Sequence, residues 1–324
     1  MFFAVWDVKL IKWAVGGAAE CVKSIKSVLT VTHTHLLEAH THSACWKMAR
    51  FDGKVAIVTG SSNGIGRATA VLFARDGAKV TITGRDTAAL AETKTECMKA
   101  GAKEDDILAI AGDITKEEVR NELVDKTIAK FGKLNILVSN HGGSQFEFNQ
   151  DGSWNLDAFD PTIDQNAKST LAMCLKAYTH LKESKGDIVL VSSIASTMAT
   201  SGMLFYAMSK AAISHMAKML SYRFAKDDIR VNCVNPGIVS TAFMQKLGIR
   251  PETSKKVEQF YADNSIPMRR TATPKDIAEP IAFLVDRSVS GYITGQSIVV
   301  DGGAMIQHSL ITHSLVDVVK HVDN

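Results

Sequence analysis

The chain has 324 residues, 46% of them apolar and 22% charged, with 37 basic against 34 acidic side chains and a formal net charge of +3. That apolar content excludes a disordered or collagen-like chain, and five scattered cysteines without a C-x-x-C pair exclude a disulfide-stapled one. Near-balanced charge without a dense Lys/Arg block argues against a nucleic-acid partner, and no uninterrupted apolar run reaches the roughly eighteen residues of a membrane-spanning helix.

Residues 1–47 differ in texture from the rest. Phe2, Phe3, Trp6, Leu10 and Trp13 fall on one helical stripe flanked by Lys9 and Lys12, which permits a short amphipathic helix. Asp7, Lys9 and Lys12 interrupt any secretory h-region; a mitochondrial presequence fits a little better but should be Arg-rich, and no Arg precedes Arg50. This stretch is expected to be a leader, poorly ordered or targeting, on a cytoplasmic protein; mitochondrial or membrane-surface association through it is the alternative. His33, His35, His40 and His42 match no known coordination frame, so no metal is expected. Met48, just before the first strand, is a candidate start of the functional protein. Cys21, Cys45, Cys97, Cys174 and Cys233 read as free thiols in a reducing compartment.

From Lys54 the pattern becomes regular. The runs 55–60, 78–84, 107–112, 134–140, 186–193, 229–235 and 296–302 are rich in Val and Ile without polar alternation, as parallel strands covered on both faces require. Amphipathic stretches separate them, the best being 65–76, 115–131, 157–182, 205–226 and 274–286. The expectation is one doubly wound α/β domain of about seven parallel strands over 48–305, followed by a tail, 306–324, whose Val and Leu spacing permits a short helix.

Where the first strand meets its helix lies Thr59-Gly60-Ser61-Ser62-Asn63-Gly64-Ile65-Gly66. Gly60 permits a tight exit from the strand, Gly64 lets backbone N–H groups approach a pyrophosphate, and Gly66 allows close packing of helix on sheet. A dinucleotide phosphate is expected at the helix N-terminus. The acidic residue that normally ends the second strand and holds the ribose hydroxyls is absent; Gly84 and Arg85 stand there. A guanidinium without a carboxylate favours NADP, and the alternative is NAD with Asp86 on the ribose. Asp113, closing the third strand, is placed to touch the adenine.

Tyr206 and Lys210 share one helical face at i and i+4, where a cation is expected to favour the phenolate and ready Tyr206 for proton transfer. Thirteen residues before Tyr206, at the end of a strand, Ser193 is placed to hold a substrate oxygen; its neighbour Ser192 lacks that offset. Asn166, in the long helical segment after the fourth strand, is placed to bind a water that relays protons to Lys210.

Together these motifs resemble the short-chain dehydrogenase/reductase superfamily, in its TGxxxGIG and YxxxK subgroup. The resemblance runs from about Phe51 to Met305 and includes Asn235-Pro236-Gly237 and the late GQSIVVDGG. It implies a single Rossmann domain and a catalytic tetrad of Asn166, Ser193, Tyr206 and Lys210. It further implies a cofactor site of Thr59, Gly60, Ser62, Asn63, Gly64, Ile65, Gly66, Arg85, Asp113 and Asn140, joined by Tyr206, Lys210, Pro236, Gly237, Ile238 and Thr241. Lys210 is implied to hold the nicotinamide ribose, and Ile238 and Thr241 to meet the carboxamide, with Thr241 alternatively on the pyrophosphate.

One departure is His141, which replaces the small alanine of the family's NNAG, here Ser139-Asn140-His141-Gly142. It is either a second titratable group or a residue with a backbone role alone, the second being preferred. The segment 238–270 is implied to be a lid, and its Phe243, Met244, Leu247 and Phe260, with Met198, Met203 and Leu204, suit a bulky apolar carbonyl or secondary alcohol. Small residues such as Ala172, Ala177, Ala211 and Ala217 on the helices 157–182 and 205–226 fit the family's homodimers or homotetramers. The expected activity is NADPH-linked reduction of a ketone or aldehyde, or the reverse. The alternatives are an NAD-linked secondary-alcohol dehydrogenase and a catalytically silent nucleotide-binding scaffold or sensor.

Overall fold

The seven Val/Ile runs become seven strands: β1 (Val55–Val58), β2 (Lys79–Gly84), β3 (Ile107–Ala111), β4 (Ile136–Ser139), β5 (Asp187–Val191), β6 (Arg230–Pro236) and β7 (Ser297–Val300). All pair in parallel, in the order β3-β2-β1-β4-β5-β6-β7. The computed structural model describes residues 49–199 and 202–307, all within the second of two units, Met1–Met48 and Ala49–Asn324, into which the chain divides. Residues 1–48, which hold the expected leader and the histidine run, and the tail beyond residue 307 lie outside the described residues.

Successive side chains of each strand point to opposite faces. On one face Ala56, Val58, Val80, Ile82, Val138 and Val189 pack against three helices, α1 (Gly64–Arg75), α2 (Thr87–Lys99) and α9 (Pro274–Val285). On the other, Ile57, Leu137, Ile188, Leu190 and Val231 meet α3 (Glu117–Phe131), α5 (Ser169–Ser184) and α6 (Leu204–Phe224). Burying a side chain of this size is worth roughly 1.5–3 kcal/mol, so two apolar cores hold the sheet as a rigid platform. Phe51 joins one of them, its ring edge-on to Phe73 at 5.0 Å.

Because β1 lies between β2 and β4, the chain winds one way through β1–β3 and the other way through β4–β7. The crevice at the C-terminal ends of β1 and β4 is the place where such sheets take a ligand. Register brings those ends level: Val58 pairs with Val138, and the Thr59 N–H donates to Val138 O at 3.0 Å.

Three helical features differ from the sequence expectation. The helix expected over 157–182 is broken into a 3₁₀ turn (Leu156–Ala158), α4 (Phe159–Ile163), a π-helical turn (Asp164–Lys168) and α5. Sequence periodicity did not single out α2, because its buried positions, Leu90, Thr93 and Cys97, form a weak apolar stripe. The segment 238–270 holds two helices, α7 (Phe243–Lys246) and α8 (Pro251–Asn264), and α8 buries only Ser254 and Ala262. A short helix, α10 (Arg287–Ser290), follows α9.

Candidate active site

Helix α1 opens without the usual cap. Asn63 at its N-cap makes no side-chain hydrogen bond to the first turn, and that turn holds no acidic residue. Its N–H groups and the positive end of the helix dipole are thus left for an anion. Gly64, with φ +56°, lies against Thr241, whose Cγ2 would be 3.0 Å from any Cβ. Gly66 has a different reason to lack a side chain: a Cβ there would sit 2.3 Å from Gly60 O and 2.5 Å from Asn140 Nδ2. Asn140 donates that amide to Thr59 O at 3.1 Å and Gly60 O at 3.0 Å, locking the end of β4 to the turn.

Of the expected cofactor residues, Gly60, Ser62, Asn63, Gly64, Ile65, Arg85, Asp113, Asn140 and Thr241 line one crevice over this turn. Thr59 and Gly66 lie outside that lining. So do Pro236, Gly237 and Ile238 at the end of β6, where the Gly237 N–H donates to Val300 O and Ile238 O accepts from the Ala272 N–H. At the rim, a Cβ on Gly84 would meet Ser62 Oγ at 2.8 Å, which explains why β2 ends without a side chain. Asp86 caps α2, its Oδ1 accepting from the Ala89 N–H at 3.0 Å. Asp113 accepts two bonds from Thr115, N–H and Oγ1, both at 2.9 Å. Burial acts upward on the Asp113 carboxyl, but the Thr115 bonds and the charges of Arg85 and Lys116 leave it below the usual range.

The second half of the site is made of side chains. Lys210 is buried and its Nζ donates to Val191 O, the last residue of β5, at 2.9 Å. One turn earlier on α6, the ring of Tyr206 has its centroid 5.6 Å from that ammonium. Ser193 follows β5, and its hydroxyl lies near enough to the Tyr206 phenol to act downward on its pKa. Ser192 points elsewhere: its Oγ donates to Lys210 O at 2.7 Å and accepts from Ser214 at 2.9 Å, so Ser193 is the serine that faces the phenol. Asn166 sits in the π-helical turn, a device often found at functional sites. Its amide accepts from the Gly143 N–H at 2.9 Å and donates to Gly143 O and Ser209 Oγ, both at 2.8 Å. Asn166 Oδ1 and Lys210 Nζ converge on Gly142, each 3.1 Å from where a Cβ would stand.

Two electrostatic expectations change. Burial, and not the Lys210 cation, dominates at the phenol: it pushes Tyr206 up to about 12, with the Ser193 hydroxyl acting downward. Burial likewise pushes Lys210 down to about 8. His141 has more than a backbone role: its ring is buried between Thr59 Oγ1, 2.7 Å from Nδ1, and Ser169 Oγ, 2.8 Å from Nε2. Ser169 donates its own proton to Gln165 O at 2.7 Å, while Thr59 lies closer to Nδ1 than to Val138 O, its other acceptor, at 3.3 Å; both contacts favour the tautomer with the proton on Nε2. Burial, with the charges of Lys210 and Arg120, pushes the imidazole down to about 3, so it stays neutral near pH 7.

Three residues that sequence reasoning missed belong to this site. Ser209 steadies Asn166. Lys246, from α7, lines the cofactor crevice. Glu147 is 2% exposed, and its carboxylate accepts from the N–H groups of Phe205 and of Tyr206 itself, both at 2.9 Å. Met203, at the N-cap of α6, makes no side-chain cap bond, so Glu147 caps the helix from 59 residues upstream of Tyr206. No local pattern announces a cap that arrives over such a distance. Phe148 and Trp154, stacked at 4.6 Å, flank Glu147, and Trp154 leans on Phe205 at 5.8 Å.

The family model described as enoyl-(acyl carrier protein) reductase matches residues 60–305. Glucose 1-dehydrogenase of Gluconobacter oxydans is 34% identical over 256 residues, 78% of this chain and 92% of that protein. A crystal structure of a short-chain dehydrogenase/reductase of unknown function from Caenorhabditis elegans, with cofactor, superposes with a TM-score of 0.78 at 39% identity, covering 82% of this chain and all of that one. The apo-form of a Caenorhabditis elegans glucose dehydrogenase does so at 0.70 and 41% identity, covering 80% and all. The chain belongs to the short-chain dehydrogenase/reductase family and is a nicotinamide-dependent oxidoreductase of CH–OH and C=O groups. The uncapped N-terminus of α1 and the glycine cradle beside it fit a dinucleotide pyrophosphate. Among the described residues no helix is long and apolar enough to cross a membrane.

Proposed function

We propose that the chain reduces an apolar ketone or aldehyde with NADPH, or runs the reverse oxidation, with Tyr206 as the proton donor and acceptor. When bound, the nicotinamide supplies or takes the hydride. Ser193 holds the substrate oxygen beside Tyr206 Oη; a phenol kept protonated by burial hands its proton to the alkoxide that forms. Lys210, held on Val191 O, and Asn166, beside Gly142, carry the proton route away from the phenol.

The observation that carries the cofactor choice is the use already made of Asp86. Its carboxylate caps α2, while Arg85 stands exposed at the crevice rim and β2 ends in a glycine that Ser62 keeps small. A 2′-phosphate meets a guanidinium there and no carboxylate aimed at a ribose. The apolar substrate is supported by the cluster of Phe148, Trp154, Phe159 and Phe205 beside Tyr206, and by the Phe243 ring 5.7 Å from the phenol. The same reading makes the protein a homo-oligomer: Leu175, Met208, Met219 and Tyr222 leave apolar surface exposed on α5 and α6, although Ala177 and Ala217 are spent in the core. It also places it in a reducing compartment, as the buried free thiols of Cys97, Cys174 and Cys233 suggest.

The test is oxidation of NADPH and NADH, measured side by side against a panel of apolar ketones. Arg85→Asp should shift preference towards NADH; an unchanged ratio removes the argument for NADP. A cofactor-binding protein that turns over no carbonyl in either direction would leave the scaffold reading.

A further inference from the structure

We infer that Lys246, carried by α7 of the lid, completes with Arg85 and Asn63 a site for the 2′-phosphate of NADP. The inference rests on the NADP reading above and names a residue that the reading does not need. Lys246 lines the same crevice as Arg85, and its Nζ is 3.5 Å from Asn63 Oδ1, a contact that spans 183 residues of sequence. Asn63 is the residue before Gly64 in the phosphate turn, so the ammonium hangs over the corner where β1 and β2 end.

Two cations face one another at this corner. Partial burial of the ammonium and the charge of Arg85 hold Lys246 below the ordinary lysine range, the mark of two like charges brought close without a counter-ion between them. Among the described residues the one acidic residue lining the crevice is Asp113; both Thr115 bonds fall on its Oδ1, and it forms no salt bridge with Arg85 or Lys246, so one carboxylate faces two cations. A dianion between the two cations pairs with the charge of both, whereas a ribose with two hydroxyls offers them acceptors but no counter-charge. The pyrophosphate does not need Lys246, because the uncapped N-terminus of α1 already offers it N–H donors.

The placement of the lid follows from a second contact. Thr241, two residues before α7, is the neighbour that a Cβ on Gly64 would meet at 3.0 Å. The chain therefore docks on the phosphate turn before it forms α7, and α7 delivers Lys246 from above while Arg85 comes from the sheet. Recognition of the phosphate is split between a strand end, local in sequence to the nucleotide fold, and a lid residue that is not.

Calorimetric titration of the full chain tests this without turnover. NADPH, NADH, 2′,5′-ADP and 5′-AMP are titrated into the wild type, Lys246→Met and Lys246→Arg. A charge-assisted hydrogen bond is worth about 1.5–3 kcal/mol, so Lys246→Met should weaken NADPH and 2′,5′-ADP by roughly tenfold or more while NADH and 5′-AMP stay within about twofold. Lys246→Arg should retain most of the NADPH affinity. Equal weakening of NADPH and NADH would make Lys246 a pyrophosphate contact and overturn the proposal, as would no weakening in a protein that still prefers NADPH. A wild type that binds 2′,5′-ADP no better than 5′-AMP removes the NADP reading itself, a distinct result. An apo melting temperature of Lys246→Met no lower than wild type shows that the losses are not unfolding.

Discussion

The two halves of the crevice are built from different materials. The pyrophosphate end of the nucleotide half is main chain: one contiguous turn, 59–66, in which Gly64 takes φ +56°, Gly60 takes φ +64°, and the N-terminus of α1 is left uncapped. The catalytic half is side chain, assembled from residues as far apart as Glu147 and Tyr206, or Asn166 and Ser209. A site made of backbone depends on what a residue lacks, whereas a site made of side chains depends on partners that stay in place. Substitutions in the two halves should therefore fail differently.

The largest difference is expected at Tyr206. Tyr206→Phe should lower turnover by about 10²–10⁴-fold, the range for losing a general acid or base, and leave NADPH binding within about twofold. Stopped assays for the first and calorimetry for the second separate the two halves, and retained turnover would end the proton-transfer assignment.

His141 tests the catalytic half through stability. Its folded pKa is depressed to about 3 from an ordinary 6.5, so between these values the unfolded chain binds more protons. The stabilisation is complete above about pH 6.5 and is lost as pH falls towards 3, by an upper bound of roughly 5 kcal/mol. Urea unfolding at several pH values should show a shallower acid slope in His141→Ala than in the wild type. Equal slopes would mean that the imidazole is not buried neutral.

Glu147 comes next. Glu147→Ala leaves two N–H groups at the head of the catalytic helix without their acceptor, at a cost of about 1–3 kcal/mol of stability. If the cap positions Tyr206, kcat should drop with KM little changed, and Glu147→Gln, which keeps one acceptor oxygen, should restore part of it. Loss of stability with unchanged kcat would reduce Glu147 to a structural cap.

Gly64→Ala should have the smallest effect and the opposite profile. A side chain at φ +56° costs about 1 kcal/mol, and its Cβ would press on Thr241. Cofactor affinity should weaken by about tenfold, with turnover at saturating cofactor close to wild type.

Much of this molecule was legible in the sequence, and unevenly so. Strand runs such as 55–60 and 134–140 announced themselves because burial on both faces selects uninterrupted Val and Ile. Helix α2 did not, since Leu90, Thr93 and Cys97 suffice to dock it on an already formed sheet. The break in the helix expected over 157–182 was invisible for another reason: a π-helical turn leaves composition unchanged and shows only in which carbonyl each N–H meets. In the site, Ser193, Tyr206 and Lys210 were found by spacing along a strand end and one helix face, and the structure does bring them together. Glu147, Ser209 and Lys246 were not found, because each acts on a residue 43 to 183 positions away.

By itself the sequence determined the alternation of strands and helices, the turn that meets a phosphate, and the pairing of a tyrosine with a lysine one turn on. These are local periodicities, readable wherever a few neighbouring residues must satisfy one backbone geometry. Only the tertiary structure decided that Asp86 caps a helix, that His141 is neutral, and that burial outweighs a neighbouring cation at the Tyr206 phenol. Burial and long-range hydrogen bonds set those properties, and neither exists until the chain has closed on itself.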